Sequence, residues 1–363
     1  MRFRFFVVLV FFVAVAYSIN AQQQKKPKNI IIIIGDGMGL NQVTSEIIFN
    51  REDTPFKKFT DVGMSVTCAA DALITDSAAG GTAIATGHKT YNGAIAVDTI
   101  KQPVESVFTY AVMNKKKAAG LVTTAPITDA TPAVFFAHAE SRKMHTDIAQ
   151  QLVNAPAHVV IGGGRKYFLP KDQGGVRTDG VNLIQSLSDK GYFYSSEYIT
   201  EGYKPNSKLW MLLDTNSISK AGTRPYKLGD LAMTAIGQLK NHKDGFVLMV
   251  ESTHTDYAGH ANDPVHLKAE MEEFADLVNR MLAYIEKDGN TLLVVTADHE
   301  TGGMSLVHPK DKSQPIEYAY TTKGHSAGMV GVWAKGPGSD IFRGVYENNE
   351  IGKKLFSIAR SWK

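Results

Sequence analysis

The chain has 363 residues, 44% of them hydrophobic and 21% charged, with a formal net charge of +3. That length suits one large domain or two small ones, and the near balance of charge leaves no electrostatic case for a nucleic-acid partner. Cys68 is the only cysteine, so no disulfide can form within the chain.

Arg2 and Arg4 precede an apolar stretch over residues 5–17, then Ser18-Ile19-Asn20-Ala21 and a polar Gln/Lys run. A charged start, a short apolar run and a small residue at Ala21 read as an export signal over 1–21. The run is shorter than the roughly 20 residues a membrane span needs, so no stable transmembrane anchor is expected. Residues 22–363 are expected to form a single domain, exported to the periplasm or secreted.

Residues 30–34 are consecutive isoleucines, and the stretch 30–39 reads IIIIIGDGMG. A β-branched run without alternation predicts a strand buried on both faces. Asp36 then stands at the carboxyl end of a central strand, where open α/β sheets build their sites. The glycine spacing is GxGxG, not the dinucleotide GxGxxG, and a carboxylate inside such a loop repels a pyrophosphate. Asp36 between glycines suits a metal cation better. Further strands are predicted at 63–67, 118–122, 158–161, 246–250, 292–295 and 329–333, with helical patterns between most of them. This βαβ alternation predicts an α/β fold: a three-layer α/β/α sandwich around a mostly parallel sheet. Residues 167–224 are less periodic and read as an excursion from the sheet. A helix is predicted after Asp263-Pro264, with Leu267, Met271, Phe274, Val278, Met281 and Ile285 as its core stripe.

Candidate chemistry sits where these strands end. In Thr75-Asp76-Ser77-Ala78-Ala79, small residues suit a helix start. Ser77 is either a plain cap or a hydroxyl at an anion-accepting helix N-terminus. No GxSxG elbow surrounds it, so a Ser-His-Asp triad is not indicated. Asp129 and Thr131 could serve a hard cation, and Arg142 could clamp an oxyanion or simply be solvated. Glu251, Asp256 and His260 follow the strand 246–250, and carboxylate and imidazole four residues apart suit zinc. Asp298 and His299 follow the strand at 292–295, and His325 precedes the last one. Together these stretches bury about four negative charges, a prohibitive cost unless two or three divalent cations are present. Of the eleven histidines only His260, His299 and His325 are assigned chemistry; the rest, His254 and His266 included, default to surface or packing roles.

The sequence resembles the alkaline phosphatase family. The matching motifs are IGDGMG, TDSAAGGTA followed by TGHKTYNGAIAVD, DATPA with SRK, IGGGRKYF, ESTHTDYAGH, TADHETGG and GHSAGMVGVWAKGP, in family order. The resemblance implies hydrolysis of phosphate monoesters through a phosphoserine at Ser77. It implies two zinc ions, the first held by Asp256, His260 and His325, the second by Asp36, Asp298 and His299. It implies one magnesium ion held by Asp36, Thr131 and Glu251, with Asp129 ordering its water and Arg142 gripping the phosphate. Three departures stand out. Tyr257 replaces the lysine or histidine of better-known members, the span from Thr296 to Trp333 is too short for the crown insertion of dimeric animal forms, and family disulfides are absent. A homodimer is left open. A phosphodiesterase on the same fold stays open too. So does an exported phosphate- or metal-binding protein without turnover, although that would not need Ser77. A sulfatase is excluded, because Cys68 is followed by Ala69-Ala70-Asp71-Ala72 and not by a C-x-P-x-R context.

Overall fold

In the computed structural model, residues 26–205 and 207–363 are described. The export signal expected over 1–21 lies outside them. In chain order the strands are β1 (Asn29–Gly35), β2 (Asp61–Val66), β3 (Ala118–Pro126), β4 (Val159–Gly163), β5 (Phe193–Ser195), β6 (Leu209–Leu212), β7 (Phe246–Ser252), β8 (Thr291–Thr296), β9 (Glu300–Thr301), β10 (Met304–Val307), β11 (Glu317–Tyr320), β12 (His325–Ser326), β13 (Val330–Lys335) and β14 (Gly344–Glu347). The helices are α1 (Leu40–Phe49), α2 (Ser77–Thr86), α3 (Val107–Lys115), α4 (Ala130–Ala133), α5 (His145–Asn154), α6 (Leu183–Asp189), α7 (Leu228–Leu239), α8 (His254–Ala261), α9 (Pro264–Asp288) and α10 (Asn348–Arg360).

Ten strands make one sheet in the order β14-β2-β13-β8-β1-β7-β3-β4-β6-β5. Only β13 runs against its neighbours. The isoleucine run forms β1, in the middle, and its side chains alternate between two cores. Ile30, Ile32 and Ile34 pack with residues of α2, α3, α5 and α10; Ile31 and Ile33 pack with residues of α1, α7 and α9. All five are fully buried, and each such burial is worth about 1.5–3 kcal/mol. The expected three layers are thus visible in one strand.

Register then places the site. Ile34 of β1 is level with Glu251 of β7 and Thr296 of β8, both parallel to it. The chain therefore leaves all three strands at the same edge, carrying Asp36, Glu251 and Asp298 there. The helix expected after Asp263 is α9. Asp263 accepts the Val265 and His266 N–H groups at 3.0 and 3.1 Å, Pro264 opens it, and Gly289 closes it in the left-handed conformation. Its six stripe residues are all buried.

The stretch 167–224, expected to leave the sheet, returns to it as β5 and β6 at one edge. β6 reads Leu-Trp-Met-Leu and is buried throughout, too short a run to declare itself by periodicity. No described helix is long and apolar enough to cross a membrane.

Candidate active site

The loop after β1 is set by contacts that only glycine permits. Gly37 lies at φ +68°, and a Cβ there would stand 2.6 Å from Thr301 Oγ1 and 2.9 Å from the Asp256 backbone. Its N–H donates to Asp298 Oδ1 at 3.1 Å. The loops after β1, β7 and β8 are thus packed into one another. The short pair β9–β12 sets His325 opposite Thr301 and so brings it beside His299. The two imidazole rings stack with centroids 3.5 Å apart.

Two groups of ligand-type atoms result, each within 4.8 Å. One is Asp36, Asp298 and His299; the other is Asp256, His299 and His325. His299 Nε2 lies 3.5 Å from Asp36 Oδ1 and 3.2 Å from Asp298 Oδ2. Asp256 faces His325 Nε2 at 3.5 Å through one oxygen and His260 Nε2 at 3.3 Å through the other. Backbone carbonyls orient two of the rings. His260 Nδ1 donates to the Lys323 carbonyl at 2.5 Å and His325 Nδ1 to the Thr75 carbonyl at 2.8 Å. The third ring is oriented by Thr301, whose hydroxyl donates to Asp256 Oδ1 at 2.5 Å and so accepts from His299 Nδ1 at 3.2 Å. All three Nε2 atoms are left pointing at carboxylates, an arrangement that calls for a cation between them.

The charges agree. Asp36 is pushed well above the usual carboxylate range by burial and by Asp298, Asp256 and Glu251. Glu251 is pushed up to about 8 by burial, against the hydrogen bond that Thr123 donates at 2.5 Å. At Asp256 burial is outweighed by the His260 hydrogen bond and by His299 and Thr301, which bring it down to about 2. The Asp256 hydrogen bond in turn lifts His260 to about 9. Asp36 Oδ1 and Asp298 Oδ2 are buried without a hydrogen bond.

Ser77 is the first residue of α2, 3% exposed, with its hydroxyl 3.3 Å from His299 Nε2. Asp76 caps the helix by accepting the Ala79 N–H at 3.0 Å. Its other oxygen holds Arg142 Nη1 at 3.2 Å, and Asp129 holds Nη2 at 3.1 Å. Burial would weaken the Arg142 charge, but Asp129, Asp76 and Asp36 outweigh it and keep the guanidinium firmly protonated. The Tyr257 hydroxyl meets Ser217 Oγ at 3.3 Å, and its ring stands edge-on to His254. Burial and the charges of Asp129, Asp36 and Glu251 push this phenol up, so it stays neutral.

The structure gathers Asp36, Ser77, Asp256, His260, Asp298, His299 and His325 in contact, with Arg142 joined to Asp129 beside Ser77. Three participants are not singled out by sequence reasoning: Asp76 as a holder of Arg142, Thr123 on Glu251, and Thr301 between Asp256 and His299. In the sequence Asp76 is only part of a helix start, and a lone threonine after Glu300 carries no signal of its own.

A hydroxyl at a helix start, an adjacent guanidinium and paired imidazole–carboxylate groups at the carboxyl ends of a mostly parallel sheet define a metal-dependent hydrolase. The family model for alkaline phosphatase matches residues 27–316, and the chain belongs to that family. It is 32% identical to alkaline phosphatase 3 of Bacillus subtilis, over 93% of this chain and 91% of that one. It is 30% identical to the alkaline phosphatase of Escherichia coli K12, over 84% of this chain and 76% of that one. Among solved structures, the alkaline phosphatase of the Antarctic bacterium TAB5 superposes with a TM-score of 0.85 at 34% identity, covering 94% of this chain and all of that one. A histidine-to-aspartate mutant of the TAB5 enzyme carries Mg in its M3 site.

Proposed function

We propose that the protein is an alkaline phosphatase that hydrolyses phosphate monoesters with Ser77 as nucleophile. The observation that carries this reading is the Ser77 hydroxyl at the start of α2, 3.3 Å from His299 Nε2 and next to the Asp76-held Arg142. The chemistry of the donors suits divalent ions, and two groups, Asp36/Asp298/His299 and Asp256/His299/His325, bring ligand-type atoms within 4.8 Å. Asp256, His260 and His325 would hold one zinc, and Asp36, Asp298 and His299 a second. The oxygen donors of Asp36, Thr131 and Glu251 would hold a magnesium. The orphaned oxygens of Asp36 and Asp298 support that fit. Such ions, when bound, supply Lewis-acid polarisation and neutralise charge on the reacting oxygens.

The chain's own groups do the rest. Ser77 Oγ attacks phosphorus in line with the departing alcohol; the new Oγ–P bond forms as the ester P–O bond breaks, and the proton lost by the Ser77 hydroxyl is balanced by the one the leaving oxygen takes from solvent. Arg142 and the amide end of α2 hold the non-bridging oxygens of the transferring group. Asp76 and Asp129 fix the guanidinium so that little entropy is lost when phosphate arrives. Attack of water on the phosphoserine then releases phosphate and restores Ser77. The leader-type sequence before residue 22 supports export of the mature chain.

The test is a rate comparison of mono- and diesters with the metal-loaded protein, paired with acid trapping of labelled substrate. Monoester preference and label on Ser77 are expected, with the label gone in Ser77→Ala. Diester preference, or label on another residue, would overturn the reading.

A further inference from the structure

A second histidine–carboxylate group lies between α8 and α9, and the reaction does not use it. His254 opens α8, while His266 and Glu270 lie one turn apart near the start of α9. One ligand-type atom from each falls within 4.8 Å of the other two. His266 Nε2 stands 3.3 Å from Glu270 Oε1, as i,i+4 neighbours on one helix face. The His254 and His266 rings are 5.5 Å apart.

Two polar atoms of this group, Glu270 Oε2 and His266 Nε2, lack hydrogen-bond partners. Glu270 is fully buried; its Oε1 accepts the Ala221 N–H at 2.7 Å, but its Oε2 has no hydrogen bond. His266 Nε2 is buried without one as well. Arg224, close enough for its charge to act on His254, is engaged by Glu273 and the Ser219 carbonyl instead. A buried carboxylate with one oxygen unpaired, set against an imidazole nitrogen that has no hydrogen bond, is costly, and a divalent ion held by both side chains removes that cost. Two imidazoles and one carboxylate are a zinc-type donor set. His254 is held for the purpose: its Nε2 donates to the Ile218 carbonyl at 2.7 Å, which leaves the lone pair on Nδ1.

We propose that His254, His266 and Glu270 form a further divalent-metal site of the zinc class, distinct from the catalytic clusters. Ile218 and Ala221 both belong to the segment between β6 and α7, so an ion here clamps that segment onto α8 and α9.

The experiment counts zinc per chain after equilibrium dialysis of the full-length protein, for wild type, His266→Ala and Glu270→Gln. His266 lies nearer the surface, so its alanine variant is the safer one to fold. The expected result is one equivalent fewer in both variants, with monoester hydrolysis retained in His266→Ala and a smaller rise in Tm on adding zinc. Equal zinc content in wild type and His266→Ala overturns the proposal. So does a metal loss accompanied by loss of hydrolysis in both variants, because the missing ion would then belong to the catalytic clusters.

Discussion

Thr301 shows how much one hydroxyl can carry. It donates to Asp256 and accepts from His299, so it fixes a carboxylate and an imidazole of two neighbouring groups at once. Thr301→Val keeps the shape and removes both bonds. The expected outcome is zinc affinity lower by roughly 10–100-fold, the usual cost of losing such support, in a protein that still folds. Competition with a chromogenic chelator measures it, and unchanged affinity would remove Thr301 from the machinery. Tyr257 poses a different question, because its neutral phenol feels the charges of Asp129, Asp36 and Glu251. Tyr257→Lys places a positive charge there. Phosphate should then inhibit more tightly, by roughly 1 kcal/mol or several-fold. An unchanged inhibition constant would mean that Tyr257 merely packs on His254 and Ser217. These residues also mark what a sequence can and cannot disclose. Asp36, Glu251, Asp298 and His299 are legible because a carboxylate or imidazole at the end of an apolar strand is hard to explain otherwise. Thr301 and Thr123 are not, since a threonine shows its role only through a partner brought near by folding.

The same limit appears in the elements. The strands that form the middle of the sheet are legible because burial on both faces demands continuous apolar runs. The edge strands β14 and β5 are not. β14 is largely exposed and β5 only half-buried, so neither has a hydrophobic pattern to read. The junction of β3 and β4 offers a test of its own. His158, just before β4, accepts the Ala119 N–H on Nδ1 at 3.2 Å. Burial, His242 and Lys208 bring its pKa down from 6.5 to about 4. A histidine lowered in the folded state adds stability above the unfolded value, and that contribution fades as pH falls from about 6.5 to about 4. Urea midpoints should therefore drop across this window, and less steeply in His158→Gln. Parallel slopes for the two proteins would show that His158 is not responsible.

For the molecule as a whole, four buried acids at one sheet edge are a standing electrostatic strain. Asp36, Glu251, Asp256 and Asp298 are each at most 6% exposed. Ligand binding stabilises the folded state by mass action, about 2.7 kcal/mol for an ion at a hundred times its Kd. Dialysis against a chelator should accordingly lower Tm, and zinc with magnesium should restore it. A chelated protein with an unaltered Tm would argue against buried cation sites. The placing of β1 has a consequence of another kind, one of timing. This strand is synthesised well before its partners: β7 follows after about two hundred residues and β8 after about two hundred and fifty. At about 5–20 residues per second, the isoleucine run waits roughly 10–40 s with both edges open. Uncharged, β-branched and free of proline, it is in that interval the segment most prone to pair with a copy of itself. Yield during folding is then a race between the ribosome and a neighbouring chain, and it should fall as the concentration of unfinished chains rises.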